Sequence, residues 1–270
     1  MNLLTIIHIN DGLISLLHPG RKQRLKTFLT FLKLGFKSVI FKKTKSEKFF
    51  GYDVRVFDYR SFAMVFLEIF MKNDYYIDLK KKYPVIIDCG GNIGMSVLFF
   101  KYHYPESKIH VFEPFPENYQ ILHSNIVRNG LTEVYGHKKA VGDSDGKVEF
   151  FYSDPNNNTN SLGGSLVHTA GFGDQKIMVD KIRLGDFFDE FEEIDLLKMD
   201  VEGAEWDTMI DLCKTGKIKK VKNFVCEYHY DSDDMSKPVD EFLRLIRENG
   251  FTYDVYMNKG VANIIKAYRE

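Results

Sequence analysis

The chain has 270 residues, of which 44% are hydrophobic and 28% charged, a composition typical of a globular protein with a sizeable core. Its formal net charge of −1 excludes a general affinity of the whole molecule for polyanions, and no apolar run reaches the roughly 18 residues of a membrane-spanning helix. Three cysteines without close spacing argue against disulfides or a zinc site and predict buried thiols in a reducing, cytoplasmic compartment.

Residues 1–50 differ in composition from the rest and are predicted to form a basic amphipathic N-terminal extension. Ten lysines and arginines but only one acid lie within 21–48. Over 24–43 the basic residues are interleaved with aromatic and aliphatic ones, which predicts an amphipathic helix. Two interpretations stay open. The helix packs on the folded domain with its lysines in water, or 21–48 makes peripheral contact with a membrane or another anionic partner, such as a lipid-linked acceptor.

Residues 51–270 are predicted to form one α/β domain. A hairpin or edge strand within 51–62 and a helix over 62–76 come first. We then predict strands at 85–87, 109–113, 134–141, 148–152, 177–183, 194–199, 221–228, 251–256 and 261–267, and helices at 92–103, 115–129, 185–191, 203–214 and 237–249. This alternation predicts a mostly parallel, doubly wound sheet with an antiparallel edge. The polar loop 154–175 is predicted to be a lid or a disordered insertion.

A strand, a glycine turn and a helix follow one another over 85–103, and an acidic residue ends the next strand. The turn reads Asp88-Cys89-Gly90-Gly91-Asn92-Ile93-Gly94, and the next strand ends in Glu113-Pro114. A glycine turn lets a ligand lie against bare backbone, and a carboxylate that ends the next strand can accept both hydroxyls of a ribose. The pair therefore predicts a site for a nucleoside cofactor.

The turn favours S-adenosylmethionine over a dinucleotide. A dinucleotide fingerprint ending at Gly94 would need glycine where Cys89 stands, and the carboxylate of Asp88 would repel a diphosphate. S-adenosylmethionine carries an ammonium, a sulfonium and a ribose but no phosphate. The alternative is an ordinary strand-to-helix turn whose glycines serve packing alone.

A second acidic motif ends a later strand. Lys198-Met199-Asp200-Val201-Glu202-Gly203-Ala204-Glu205 contains three acids where one would suffice to cap the following helix. The strand after it ends in Glu227-Tyr228-His229. Because the carboxyl ends of parallel strands meet at one edge of a sheet, both motifs are predicted to face the same crevice as Asp88 and Glu113.

With these motifs the chain resembles the FkbM family of S-adenosylmethionine-dependent methyltransferases. The matching pieces, over roughly 55–265, are the turn at 88–94, Phe112-Glu113-Pro114, 118–129, Ala140-Val141-Gly142-Asp143, 198–205 and 227–229. Gly91 departs from the alanine usual in the family. The resemblance implies a Rossmann-like class I methyltransferase fold and an enzyme that methylates oxygen, often a sugar hydroxyl of a natural product or glycan.

Strand-end positions and the resemblance together predict the role of each site residue. Asp88 is assigned to the methionine ammonium, and Glu113 to the ribose hydroxyls. The remaining cofactor-binding candidates are Gly90, Asn92, Gly94, Pro114, Ala140, Val141 and Asp143. Asp200 and His229 are the candidate general bases, and Glu202 would orient the acceptor or the methionine end of the cofactor. A magnesium ion on Asp200 and Glu202 is a further possibility.

Two other function classes stay open from the sequence. The basic N-terminus and the lysines of 214–222 suggest an RNA or DNA methyltransferase. The acidic strand ends argue against it, because they repel phosphates. A module that binds the cofactor without catalysis is the other alternative. The acceptor is expected to be a small molecule or glycan, and the sequence does not indicate an oligomeric state.

Overall fold

The computed structural model describes residues 21–41, 46–152, 164–165, 175–229, 238–257 and 262–269. These residues form two compact units, one up to Tyr76 and one from Ile77. The domain boundary after residue 50 was predicted from the change in composition, and it stays a prediction. The predicted lid at 154–175 lies largely outside the described residues.

The first unit combines helices with one hairpin. Its elements are α1 (Arg21–Ile40), β1 (Ser46–Phe49), β2 (Tyr52–Arg55) and α2 (Tyr59–Phe66), which continues as a π-helical turn over Leu67–Met71. The strands β1 and β2 pair antiparallel. Asp58 caps α2 by accepting a hydrogen bond from the Ser61 backbone N–H at 2.8 Å. The predicted helix over 24–43 is confirmed with slightly earlier ends, whereas the helix predicted at 62–76 begins at Tyr59 and ends at Met71.

The core of this unit is aromatic. Phe49 contacts the rings of Phe62, Phe66 and Phe70, with centroids 5.2–5.7 Å apart. Such ring pairs add to the stabilisation from buried apolar area. Beside this cluster the hairpin carries a buried acid, Glu47, whose two carboxylate oxygens each lie 2.6 Å from a lysine of α1. Burial of Glu47 is tolerated because both oxygens are paired.

The second unit contains the remaining strands and helices. The strands are β3 (Val85–Cys89), β4 (Lys108–Phe112), β5 (Val134–His137), β6 (Ala140–Gly142), β7 (Gly146–Tyr152), β8 (Gly164–Ser165), β9 (Gln175–Arg183), β10 (Leu196–Met199), β11 (Asn223–His229), β12 (Thr252–Met257) and β13 (Ala262–Tyr268). The helices are α3 (Met95–His103), α4 (Pro116–Arg128), α5 (Leu184–Phe187), α6 (Glu205–Lys214) and α7 (Val239–Glu248), with 3-10 turns at Phe188–Glu190 and Lys217–Lys220.

Seven strands form the main sheet in the order β12-β13-β11-β10-β3-β4-β5. The five strands from β11 to β5 are parallel, and β13 and β12 add an antiparallel edge. The inner strands β3 and β10 are almost fully buried, as expected for a sheet covered on both faces. This is a Rossmann-like, mostly parallel sheet with an antiparallel edge, as the sequence predicted.

A smaller sheet corrects one predicted strand. Its order is β6-β9-β7-β8, and β7 pairs antiparallel with β9. The single strand predicted at 134–141 is wrong, because β5 belongs to the main sheet and β6 to the smaller one. The chain therefore leaves the main sheet after His137. Ala140, Phe150 and Val179 of the smaller sheet share a core with Phe115.

Candidate active site

A cleft opens where the order of the main sheet reverses. From β3 the chain proceeds outward through β4 and β5, and it later returns to the other side of β3 to form β10 and β11. At such a switch point the loops after neighbouring strands diverge and leave a crevice at the strand carboxyl ends. The cleft has about 530 Å³ of space, part of it open to solvent. Its lining residues are Gly90, Asn92, Phe112, Glu113, Pro114, Asn118, Lys139, Ala140, Val141, Phe150, Asp200, Val201 and Glu202.

Glycine is required at position 90, where the turns that follow β3 and β10 come close together. Its φ of +85° lies in the left-handed region, and a Cβ added there would lie 1.7 Å from the backbone oxygen of Asp200. The N–H groups of Gly90 and Gly91 both donate to the carbonyl of Phe112 at 2.9 Å. The turn is thus fixed against both neighbouring strands. Gly90 allows the β10 loop to approach, in addition to any role toward a ligand.

Glu113 follows β4 and lines the cleft. One carboxylate oxygen accepts a hydrogen bond from the Asn92 N–H at 2.8 Å, and the other accepts from the Phe115 N–H at 2.9 Å. Burial raises the pKa of Glu113 to about 7, and the two backbone N–H groups oppose that rise. Each oxygen can still accept one more hydrogen bond. Glu113 is therefore positioned by the backbone and equipped to accept two hydroxyl donors.

Asp88 lies beneath the turn and is fully buried. Its carboxylate accepts a hydrogen bond from the Ser96 hydroxyl at 2.5 Å and lies 3.3 Å from the Lys198 ammonium. Burial raises the pKa of Asp88, while the charge of Lys198 opposes the rise. Asp88 is not among the residues that line the cleft, and its predicted contact with a ligand ammonium stays a prediction. The charged partner of Asp88 in the structure is Lys198, which is itself buried.

Lys198 is a buried charged residue whose pairing was not predicted from the sequence. It is 1% exposed and lies directly opposite Asp88 in the register of β3 and β10. Its ammonium donates to the carbonyl of Gly90 at 2.6 Å and lies 3.4 Å from a carboxylate oxygen of Asp200. Burial would lower the pKa of Lys198, but the carboxylates of Asp88 and Asp200 raise it above its usual range. The buried ammonium of Lys198 thus joins the glycine turn to residues 200–205 after β10, called here the acidic loop.

The acidic loop holds His229 between carboxylates. His229 Nδ1 lies 3.1 Å from Glu205 and Nε2 lies 3.2 Å from Glu202, with Glu227 at 3.9 Å. The buried carboxylate of Glu205 also accepts the N–H groups of residues 201 and 203 at 3.0 and 2.9 Å, at the N-terminus of α6. Glu205 therefore both fixes the loop that precedes α6 and orients the imidazole.

These contacts keep His229 protonated. Burial alone would lower the pKa of His229, but the hydrogen bond to Glu205 and the charges of Glu205, Glu202 and Asp200 raise it to about 10. Burial and neighbouring acids raise the pKa of Glu202 as well. Glu205 stabilises the imidazolium from its other side. A charged imidazolium cannot act as a general base, which leaves Asp200 as the better of the two predicted candidates.

The raised pKa of His229 predicts a specific loss of stability at alkaline pH. The folded protein binds this proton more tightly than the unfolded chain, where the pKa has its ordinary value of 6.5. The stabilisation is therefore fully present below about pH 6.5 and is lost as the pH rises through about 10. Unfolding free energies measured over this range should fall more steeply for the wild type than for His229→Gln.

An exposed histidine provides the matched control for that measurement. His123 lies on the surface of α4, and His123→Gln should keep the pH slope of the wild type. Parallel curves for the wild type and His229→Gln would show that the histidine carries no extra proton in the folded state.

The same cluster is where a metal ion would be held, if this protein uses one. Within the described ranges, one ligand atom each of Asp200, Glu202 and His229 lie within 4.8 Å of one another. The two carboxylates on which magnesium was predicted suit that ion, whereas the imidazole beside them does not, and nothing in the structure supports its presence. We therefore derive no step through magnesium.

The structure brings most of the predicted residues to one cleft. Those lining it are Gly90, Asn92, Glu113, Pro114, Ala140, Val141, Asp200 and Glu202. Gly94 instead caps α3 with φ +89°, and His229 lies behind Glu202. Asp143 is half exposed and pairs with Lys181 at 3.2 Å, away from the cleft. The individual cofactor-binding and catalytic roles stay predictions.

Several lining residues were not predicted individually. They are Phe112, Asn118, Lys139, Phe150 and Val201. The position of Asn118 could have been used, since it falls four residues after Pro114 at the start of α4. In the structure its side chain is buried, and its Oδ1 has no hydrogen-bond partner among the described residues. Phe150 carries no such signal, because it reaches the cleft only through the folding of the smaller sheet.

Comparison with known proteins places these features in context. A family model described as the methyltransferase FkbM domain matches residues 88–253. Methyltransferase 1 of Beauveria bassiana is 31% identical over 158 residues, which cover 53% of this chain and 64% of that protein. Methyltransferase sdnD of Sordaria araneosa is 34% identical over 172 residues, with 54% and 66% covered. The 31-O-demethyl-FK506 methyltransferase FkbM of Streptomyces tacrolimicus is 29% identical over 194 residues, with 62% and 72% covered.

The similarity does not extend over the whole of these relatives. The chain spans slightly less than two thirds of the length of the Beauveria and Sordaria proteins. The matched region 88–253 includes the end of β3, the cleft and α7. It begins after the first unit, so α1 and the hairpin lie outside it.

Proposed function

The chain belongs to the FkbM methyltransferase family, and from this premise we propose that it transfers the methyl group of S-adenosylmethionine to an oxygen atom of its acceptor. The proposed acceptor is a sugar hydroxyl of a small molecule or glycan. The observation that carries the proposal is the cleft at the switch point of the sheet. There a backbone-anchored carboxylate, Glu113, lies beside the Gly90 turn and faces the acidic loop at Asp200.

The charges around the cleft support this cofactor rather than a dinucleotide. Three lining residues carry carboxylates, Glu113, Asp200 and Glu202, and one carries an ammonium, Lys139. When they are ionised, these carboxylates repel a diphosphate and a nucleic-acid backbone. A sulfonium and an ammonium are attracted to it. We therefore do not favour the nucleic-acid alternative.

Methyl transfer from a sulfonium needs little covalent help from the protein. The acceptor oxygen, the methyl carbon and the sulfur must lie in line, and water must be excluded. A sugar hydroxyl is a weak nucleophile, so a base must take its proton as the C–O bond forms and the C–S bond breaks. Asp200 lines the cleft at the carboxyl end of β10, and we assign it this role.

The choice of oxygen as the methylated atom is supported by one relative of this chain. It is the 31-O-demethyl-FK506 methyltransferase of Streptomyces tacrolimicus, whose name gives an oxygen as the position methylated.

Two measurements test the proposal. Isothermal titration should show binding of S-adenosylmethionine and none of NAD, because only the first lacks a diphosphate. Incubation of the protein with S-adenosylmethionine labelled in its methyl group and a cell extract should then yield a labelled product, whose mass spectrum identifies the methylated atom. Preferential binding of NAD would overturn the cofactor assignment, and a label on nitrogen or carbon would overturn the oxygen assignment.

Replacement of Glu113 tests its predicted contact with the ribose. Glu113→Gln should weaken binding of S-adenosylmethionine by about 1.5–3 kcal/mol, the usual size of a hydrogen bond to a charged group. Titration calorimetry measures the loss directly. Glu117→Gln is the matched control, because it makes the same change four residues away on the exposed side of α4 and should leave the affinity unchanged. Equal affinities for both variants would place Glu113 outside the cofactor contact.

A further inference from the structure

Helix α1 presents an apolar stripe to solvent. The stripe consists of five side chains spaced four, three, four and three residues apart, Leu25, Leu29, Leu32, Phe36 and Val39. This spacing places them on one face of the helix. Between 41% and 84% of each side chain is exposed, whereas Phe31 and Leu34, on another face, are buried. The helix therefore has two apolar faces, and the core of its own unit uses only one.

The charge on this helix has a single sign. Six of its 20 residues are lysine or arginine and none is acidic. Lys26 and Lys33 are exposed and lie three or four positions from Leu29 and Phe36, so they border the stripe. Lys33 also pairs with Glu47 of the hairpin, which fixes the helix on its unit. The stripe is thus bordered by cationic groups on a helix that is held in place.

We propose that the stripe docks α1 onto the interface of a membrane that contains anionic lipids. A helix that lies in the interface inserts its apolar face to the level of the acyl boundary and keeps lysine ammonium groups among the headgroups. The exposed stripe and the bordering lysines of α1 fit that arrangement. Anionic headgroups also supply the negative charge that the helix lacks.

The geometry and charge select this occupant over two others. In the described part of the chain no helix is long and apolar enough to cross a membrane, so α1 would lie on the surface of the bilayer. A second copy of the chain could also cover a stripe with this spacing, since it resembles a coiled-coil seam. That arrangement would bring basic residues opposite basic residues, and in each copy Glu47 of the hairpin would offset only Lys33 and Lys37. Anionic lipid meets no such repulsion.

Vesicle co-sedimentation of the full chain tests the proposal. Wild type should sediment with phosphatidylcholine vesicles that contain phosphatidylserine, and much less with phosphatidylcholine alone. Added salt should weaken binding, because it screens the lysines. The double variant Leu29→Ser, Phe36→Ser should bind more weakly by on the order of tenfold or more, since it removes two large apolar groups from the stripe. Thermal melting checks that each variant remains folded.

A matched double variant separates the stripe from general surface hydrophobicity. Val127 and Met178 are exposed to a similar extent, 64% and 53%, but lie on α4 and β9. Val127→Ser with Met178→Ser should bind vesicles like the wild type. The proposal is overturned if the wild type ignores anionic vesicles at low salt, or if both double variants lose binding equally. It is also overturned if the protein dimerises without lipid and the stripe variant is monomeric, because a second copy would then cover this face.

Discussion

Lys198→Met should destabilise the protein by about 3–5 kcal/mol, the cost of leaving a buried charge without its partner. Lys198 is 1% exposed, and its ammonium lies 3.3 Å from Asp88 Oδ1 and 3.4 Å from Asp200 Oδ2. Methionine matches the length of the side chain but supplies no positive charge. The carboxylate of Asp88 would stay fully buried and keep its hydrogen bond from the Ser96 hydroxyl, but it would lose the ammonium that offsets its charge. Urea unfolding measures the loss.

The partner residue and an exposed lysine provide the controls. If the unpaired charge of Asp88 causes the loss, then Asp88→Asn should restore part of the stability when it is combined with Lys198→Met. Lys176→Met should cost less than about 1 kcal/mol, because the pair of Lys176 with Glu149 is about half exposed on both sides. Equal losses for Lys198→Met and Lys176→Met would show that the buried lysine does not stabilise the fold by neutralising Asp88.

The sequence predicted the fold well because the pattern that defines it is local. Buried parallel strands are short apolar runs, and the helices between them repeat their apolar residues at helical spacing. The change of sheet after His137 could not be seen in this way. Residues 134–142 are compatible with one long strand. Which sheet each half joins depends on β4 and β9, which lie elsewhere in the chain.

The sequence located the site but did not reveal the buried lysine that pairs with Asp88. A carboxylate at the end of a strand resembles a ligand group, and Glu113 indeed lines the cleft. Asp88 differs because Lys198, 110 residues later, is its register partner in the next strand. Spacing along the chain does not reveal this pair. A lysine inside an otherwise apolar strand is still a usable signal, since burying an ammonium requires a carboxylate nearby.

The role of His229, at the end of a strand, was also difficult to predict from the sequence alone. The sequence offered His229 and Asp200 as equal candidates for the general base. The structure gives a reason to prefer Asp200, because Glu205 and Glu202 approach both nitrogens of the imidazole, at 3.1 and 3.2 Å. Glu202 and Glu205 lie three residues apart in the sequence, but their distances from His229 are set by the pairing of β10 with β11. The protonation state of the histidine follows from that pairing.

Asp200→Asn should reduce turnover by on the order of a hundredfold or more, the usual contribution of a general base. Asparagine keeps the shape of the side chain but cannot accept the proton of a hydroxyl. Affinity for S-adenosylmethionine should change much less, because the proposed ribose contact lies at Glu113. The rate is measured with the acceptor found by methyl labelling, and the affinity by titration calorimetry.

Three further variants make this assignment specific. Asp207→Asn makes the same change at an exposed position in the first turn of α6 and should leave turnover unchanged. His229→Gln should lower turnover less than Asp200→Asn does, since an imidazolium held by Glu205 has no free pair to accept a proton. Glu202→Gln tests whether the neighbouring acid contributes to the same step. If His229→Gln abolishes turnover while Asp200→Asn retains it, the histidine is the base, and the bound acceptor must then displace the proton that the carboxylates hold on it.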